Sequence, residues 1–177
     1  GAVFIVVNAR TKADKLPFIL NNSRATALIT DARRGAIVTS IVDQTPHTKV
    51  VVVAGASSDF LSGAPATGDK HFVGFENAVE SAGSAAKPEN KSIDIDLAAL
   101  IYTSGSTGTP KGVMLTHLNI VSAATSITTY LENSEDDIIL NVLPLAFDYG
   151  LYQLLMAFKV GATLVLERSF AFPHAVL

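Results

Sequence analysis

Tyr102-Thr103-Ser104-Gly105-Ser106-Thr107-Gly108-Thr109-Pro110-Lys111-Gly112 separates two apolar stretches, Leu97-Ala-Ala-Leu-Ile-Tyr running into it and Val113-Met-Leu-Thr running out of it. Those flanks have the character of buried strands, so the polar segment reads as the turn of a strand–loop–strand element. Its composition is that of an anion-binding loop. Gly105, Gly108 and Gly112 permit positive φ and close backbone approach, which lets successive N–H groups converge on one point. The hydroxyls of Thr103, Ser104, Ser106, Thr107 and Thr109 add neutral donors, and Lys111 adds a mobile positive charge. Polyphosphate uses all of these groups together.

Better-known glycine-rich loops are excluded by spacing. A Walker A loop needs glycine before its lysine and serine or threonine after it, where this chain has Pro110 and Gly112. A nucleophile elbow needs Gly-x-Ser-x-Gly, which Gly105-Ser106-Thr107-Gly108 does not supply. The dinucleotide fingerprint is absent as well.

The segment from Tyr102 to Gly112 resembles the phosphate-loop signature of the adenylate-forming superfamily, Tyr-Thr-Ser-Gly-Ser-Thr-Gly-x-Pro-Lys-Gly, at every defined place. That superfamily comprises acyl-CoA synthetases, aryl and fatty acyl-AMP ligases, luciferases and peptide-synthetase adenylation domains. The resemblance extends more weakly to Gly1-Ala-Val-Phe, Ile19-Leu20, Ala27-Leu-Ile-Thr and Ile139 to Gly150. It implies an interior piece of the superfamily's large N-terminal domain, inactive alone, and hence an intact parent that is an AMP-forming ligase; the alternatives are an amino-acid adenylation domain of peptide-synthetase type and a non-catalytic module that binds phosphate or nucleotide. The reaction implied joins a carboxylate to AMP from MgATP, releases pyrophosphate and passes the acyl group to coenzyme A or a phosphopantetheine thiol. Ser104, Gly105, Ser106, Thr107, Gly108, Thr109 and Lys111 would hold the phosphates, with Lys111 acting on the charge of the leaving pyrophosphate. Thr103 would contact phosphate or magnesium through its hydroxyl, or else bond locally at a strand end. The superfamily's catalytic C-terminal lysine would lie outside this chain, and Lys111 is not its counterpart.

A second candidate site is Leu143-Pro-Leu-Ala-Phe-Asp-Tyr-Gly150. Many acyl-CoA synthetases carry histidine where this chain has Phe147, a place that borders their acid pocket. Phe147-Asp148 instead resembles the Phe-Asp of amino-acid-activating domains, in which the aspartate pairs with the substrate ammonium. Asp148 is alternatively a cap for a helix starting near Tyr149. The substrate is therefore either a plain carboxylic acid or an amino acid.

Among 177 residues, 49% are hydrophobic and 16% charged, enough to bury one sizeable core. Mean hydropathy is +0.37, but Asp148, Gln153 and Lys159 interrupt the most apolar region. No run approaches the ~18 apolar residues that a membrane helix requires. The surplus hydrophobicity is expected to face the remainder of the parent chain and to favour self-association of this piece alone. A net charge of −3 gives no basic footprint for nucleic acid. The absence of cysteine fits a reducing, cytoplasmic setting.

Residues 1–96 read as a first α/β segment ending in a polar linker, and residues 97–177 as the phosphate-loop segment, both within one N-terminal domain. Strands are expected at Ala2–Val7, Thr26–Thr30 and Lys49–Ala54. Helices are expected between them at Asp14–Asn22, capped by Asp14, and at Asp31–Val42. This alternation implies βαβ units and a largely parallel sheet flanked by helices. Gly55 to Lys70 reads as loop and Phe75–Ser81 as a short helix. Thr116 should cap a helix to Leu131 that buries Ile120, Val121, Ala124, Ile127 and Leu131. A strand at Asp137–Leu143, a helix at Tyr149–Val160 closed by Gly161 and a strand at Ala162–Leu166 follow. The last nine residues read as the approach to another helix. His47, His71, His117 and His174 lack metal-ligand spacing, and Glu135-Asp136-Asp137 reads as a solvated turn.

Overall fold

A computed structural model of the chain describes residues 1–65, 69–83, 89, 91–103 and 109–167. In chain order the elements are β1 (Phe4–Ile5), α1 (Leu16–Asn22), β2 (Ala27–Asp31), α2 (Gly35–Ile41), β3 (Val50–Ala54), α3 (Ser58–Ser62), β4 (His71–Gly74) and α4 (Phe75–Ala82). Then come β5 (Leu97–Thr103), β6 (Lys111–Thr116), α5 (His117–Tyr130), β7 (Ile138–Asn141), α6 (Asp148–Val160) and β8 (Thr163–Leu166). The described pairings are parallel except for β5 with β6, and helices connect the parallel neighbours, which is the expected α/β class. Contacts group the chain into two units, residues 11–89 and residues 1–10 with 90–177.

In unit 11–89 the sheet order is β2–β3–β4. β3 occupies the centre because its valines suit a strand covered on both sides; Val51 and Val53 are fully buried against Val38 of α2, with Leu28, Phe60 and Phe72 packed around them. The Asp31 carboxylate accepts from the Arg33 N–H at 2.8 Å and bonds the guanidinium, which holds its pKa below the usual carboxylate range. The expected single helix at 31–42 is instead α2 flanked by short 3-10 turns at Ala32–Arg34 and Val42–Gln44. Lys70 closes its far end by donating to the Val42 and Thr45 carbonyls at 2.5 and 2.7 Å.

Two expectations are corrected here, and one element appears that the sequence did not signal. Asp14 caps nothing: α1 starts at Leu16 behind Lys15, and Pro17 sits in its first turn where no N–H is needed. The expected loop at 55–70 contains α3, whose Ser57 hydroxyl accepts from the Phe60 N–H at 3.1 Å. β4 was not foreseen, because His71-Phe-Val-Gly is too short to carry a period; pairing with β3 makes it a strand.

The other unit carries the order β1–β5–β6 and the separate pair β7–β8. The strand expected over Ala2–Val7 shortens to β1, which pairs with β5 rather than with β2 or β3, and Val3 and Phe4 stay partly exposed. β5 and β6 form an antiparallel hairpin around the polar loop, in the register Thr103 opposite Lys111 and Tyr102 opposite Gly112. β7, α6 and β8 form a βαβ unit, closed where Gly161 adopts φ +82 at the end of α6. α5 packs on α6.

The Thr116-His-Leu-Asn119 pattern proves to be a capping box. The Thr116 hydroxyl accepts from the Asn119 N–H at 3.1 Å, and the Asn119 Oδ1 accepts from the Thr116 N–H at 3.0 Å. The buried face of α5 is rotated from the expected one: Ala124 and Thr128 are buried, whereas Val121 and Leu131 are exposed. Thr128 is tolerated inside because its hydroxyl donates to the Ala124 carbonyl at 2.9 Å. Ile29, Met114, Ile138 and Phe158 are 68%, 68%, 73% and 71% exposed, the apolar surface foreseen from composition.

The turn before β7 is held by Asp137. Its carboxylate accepts from the Ser134 N–H and the Asn133 amide, both at 3.0 Å, and these bonds lower its pKa, the Ser134 N–H most. A depressed folded pKa stabilises the fold above the ordinary aspartate value of about 3.9, and the contribution disappears as pH falls through the lower folded value. Thermal midpoints of the wild type and Asp137→Asn should therefore differ near neutral pH and converge only in acid.

Candidate nucleotide and acid site

The hairpin register places Thr103 and Lys111 opposite each other at the mouth of the polar loop. Both are exposed, as is Thr109. A hydroxyl-bearing and an ammonium-bearing residue therefore stand side by side at the end of the hairpin, both able to donate to an anion. Ser104, Gly105, Ser106, Thr107 and Gly108 lie outside the described residues.

Gly112 departs from the expectation of positive φ. It lies within β6, φ is not positive there, and a Cβ built on it would approach the Tyr102 ring to 3.1 Å. Its service to the site is close approach alone, leaving room for the Tyr102 ring to lie across the hairpin. Tyr102 in turn forms part of a cavity wall.

That cavity, of about 410 Å³, joins the two stretches singled out in the sequence. Ile101, Tyr102 and Thr103 of β5 and Val113 and Leu115 of β6 form one side; Ala146, Phe147, Asp148 and Tyr152 form the other. The lining is mostly apolar, with a hydroxyl, a carboxylate and two phenols as its polar groups. Such a chamber suits an organic group with a polar end.

α6 begins at Asp148, one residue earlier than expected, with Phe147 in the capping position and no side-chain cap. The Asp148 Oδ1 accepts from the Tyr149 N–H at 2.7 Å, so the carboxylate serves the helix end from the first turn. The expectation that Asp148 caps this helix is thereby corrected, since Phe147 holds the capping position and Asp148 is the first helical residue; Asp148 also borders the cavity. Among the described residues no cation pairs with it. Phe147 is 56% exposed, an aromatic at the cavity edge rather than in the core.

Tyr152, one turn beyond Asp148, was not singled out from the sequence. Burial, and secondarily the Asp148 charge, push its phenol pKa up, and it lines the cavity. Its spacing of four from Asp148 was the available signal. His117 opens α5 and its N–H donates to the Asp96 carbonyl at 3.1 Å, a structural role. Among the described residues no cluster of three or more acidic or histidine side chains is placed to hold a metal. No helix of the described residues is long and apolar enough to cross a membrane.

A hairpin flanking a glycine- and hydroxyl-rich segment thus shares one end with an apolar chamber bordered by a carboxylate. The chain belongs to the AMP-binding enzyme family, whose model matches residues 1–177. It is 28% identical over 167 residues to a component of the linear gramicidin synthase of Brevibacillus parabrevis, covering 94% of this chain and 2% of that protein. It is 29% identical over 136 residues to the peroxisomal long chain acyl-CoA synthetase 7 of Arabidopsis thaliana, covering 77% of this chain and 19% of that one. The fold matches that of the anthranilate CoA ligase AuaEII, solved in complex with anthranoyl-AMP, with a TM-score of 0.84 at 24% identity. That match covers 99% of this chain and 32% of the ligase chain. The chain thus spans a third or less of the length of these proteins.

Proposed function

We propose that the protein to which this chain belongs activates a carboxylic acid with MgATP, forming an acyl adenylate and pyrophosphate, and then transfers the acyl group to a coenzyme A or phosphopantetheine thiol. The observation that carries this reading is the shared cavity that has Thr103 of the phosphate hairpin on one wall and Phe147 and Asp148 on the other. In the reaction a carboxylate oxygen attacks the α-phosphorus and the bond to pyrophosphate breaks, so negative charge grows on the departing group. Lys111 and the loop from Ser104 to Thr109 meet that charge, with the Thr103 hydroxyl on phosphate or its magnesium. Donors fixed where charge develops stabilise the transition state more than the ground state. One threonine hydroxyl is a poor magnesium site alone, so the metal arrives held mainly by the triphosphate.

A second reading narrows the substrate to an amino acid. It rests on the exposed Asp148 carboxylate, which borders a largely apolar chamber and has no cationic partner among the described residues. A substrate ammonium entering the chamber could pair with it, a modest gain at an exposed site. The gramicidin synthase relative supports this narrower class and the acyl-CoA synthetase relative the broader one. The reaction belongs in the cytoplasm, and the exposed apolar side chains would promote self-association of this piece in isolation, which light scattering would register.

Acid-dependent exchange of labelled pyrophosphate into ATP tests the proposal. The full-length protein should exchange with at least one member of a panel of fatty, aryl and amino acids, and the responding acid decides between the two readings. Release of ADP without exchange would overturn both.

A further inference from the structure

We propose that Asn141 is the positioning residue of the acid side of this cavity, acting as a clasp that fixes where Phe147 and Asp148 stand. Asn141 ends β7 and is only 1% exposed. A buried carboxamide must use both its donor and its acceptor, and this one spends them on backbone at two separated points. The Nδ2 donates to the Gly150 carbonyl at 2.9 Å and the Oδ1 accepts from the Leu143 N–H at 3.0 Å. One side chain therefore ties the start of the connecting loop to the first turn of α6.

Between those two anchors the Phe147 N–H donates to the Pro144 carbonyl at 3.0 Å, closing a turn inside the clasp. The Gly150 Cα lies so near the loop that a Cβ there would stand 2.5 Å from the Pro144 oxygen. Loop and helix are thus held in contact by two means, a shared amide and an absent side chain. The residues that hang from this clasp, Ala146, Phe147 and Asp148, line the same cavity as Thr103. Asn141 itself does not line the cavity, so its influence on a bound acid passes through the turn it holds.

This inference rests on the adenylation reading, and its test separates the two. Asn141→Asp is nearly isosteric: it keeps the acceptor for Leu143 but sets an oxygen against the Gly150 carbonyl oxygen. Asn141→Leu removes both arms. In the full-length protein, each variant should raise the KM for the acid by about tenfold or more, the scale on which loss of an orienting partner acts, and leave the KM for ATP within about twofold. Amide hydrogen exchange should speed up across 142–151 and stay unchanged in β5, β6 and α5. If the leucine variant fails to accumulate, the aspartate variant carries the test.

Equal changes in both KM values, exchange that quickens throughout the unit, or no change at all would overturn the positioning role. If the wild type exchanges pyrophosphate with no acid, the adenylation reading falls and the acid-positioning role falls with it. An active wild type with unaltered variants removes the clasp alone.

Discussion

Replacing Lys111 with methionine should lower acid-dependent pyrophosphate exchange by the full-length protein by on the order of 10²–10³-fold, the cost of removing one well-placed donor from a transition state. Lys111 is the first residue of β6, opposite Thr103, so its backbone is fixed by strand pairing while its exposed side chain is free to reach the loop. Methionine keeps an unbranched stem and removes the charge. Because the pairing uses backbone groups, stability should stay within about 0.5 kcal/mol of the wild type, as for most surface substitutions. The loss should fall on kcat more than on the KM for the acid, since the proposed reading puts the acid near Phe147 and the departing pyrophosphate near Lys111. Lys111→Arg should recover part of the rate, because it restores charge while replacing a compact ammonium by a wider planar fork. Steady-state exchange kinetics on the three proteins decide the matter. Methionine activity equal to wild type would take Lys111 out of the phosphate site.

Local signals in the sequence led to local structure. The hydroxyl–glycine–lysine segment implied a strand–loop–strand element, and β5 and β6 form that hairpin. Thr116 and Asn119 cap α5, and Gly161 ends α6 in the left-handed conformation, because each of these depends on residues within one turn. What depended on distant partners was not legible. β1 joins β5, some ninety positions away, and nothing in Phe4-Ile5 distinguishes that partner from β2. α5 buries Thr128 instead of Leu131 because the packed face is chosen by its neighbours, and a threonine that bonds its own helix can pass as apolar.

The site shows the same division. Thr103, Lys111, Phe147 and Asp148 were singled out by motif as candidates, and the first, third and fourth of them line one cavity. Tyr152 and Asn141 carry no motif. What singles them out is what the fold assembles around them: a cavity shared with β5 for Tyr152, and the backbone of Leu143 and Gly150 for Asn141.

Gly150→Ala is the substitution expected to damage the fold most for its size, and it sets two effects of opposite sign against each other. Gly150 is the third residue of α6, and alanine is the better helix former by about 1 kcal/mol, so propensity alone predicts a gain. The added Cβ, however, would lie 2.5 Å from the Pro144 oxygen and 3.0 Å from the Leu143 oxygen. Both obstacles are backbone atoms, and the Asn141 amide that bonds Leu143 and Gly150 prevents them from moving apart cheaply. Overpacking against fixed atoms costs roughly 1–3 kcal/mol, with the upper end expected where backbone must shift, so the clash should outweigh propensity. Urea unfolding of the full-length protein should show a net loss, while Ser126→Ala on the exposed side of α5 should stay within about 0.5 kcal/mol of the wild type. Relief of the clash can come only from moving the loop off the helix, which shifts Phe147 at the junction relative to Asp148 at the start of α6. The acid KM should therefore rise together with the loss of stability. A stabilised Gly150→Ala variant would mean that loop and helix are not in contact, and would remove the physical basis for the clasp as well.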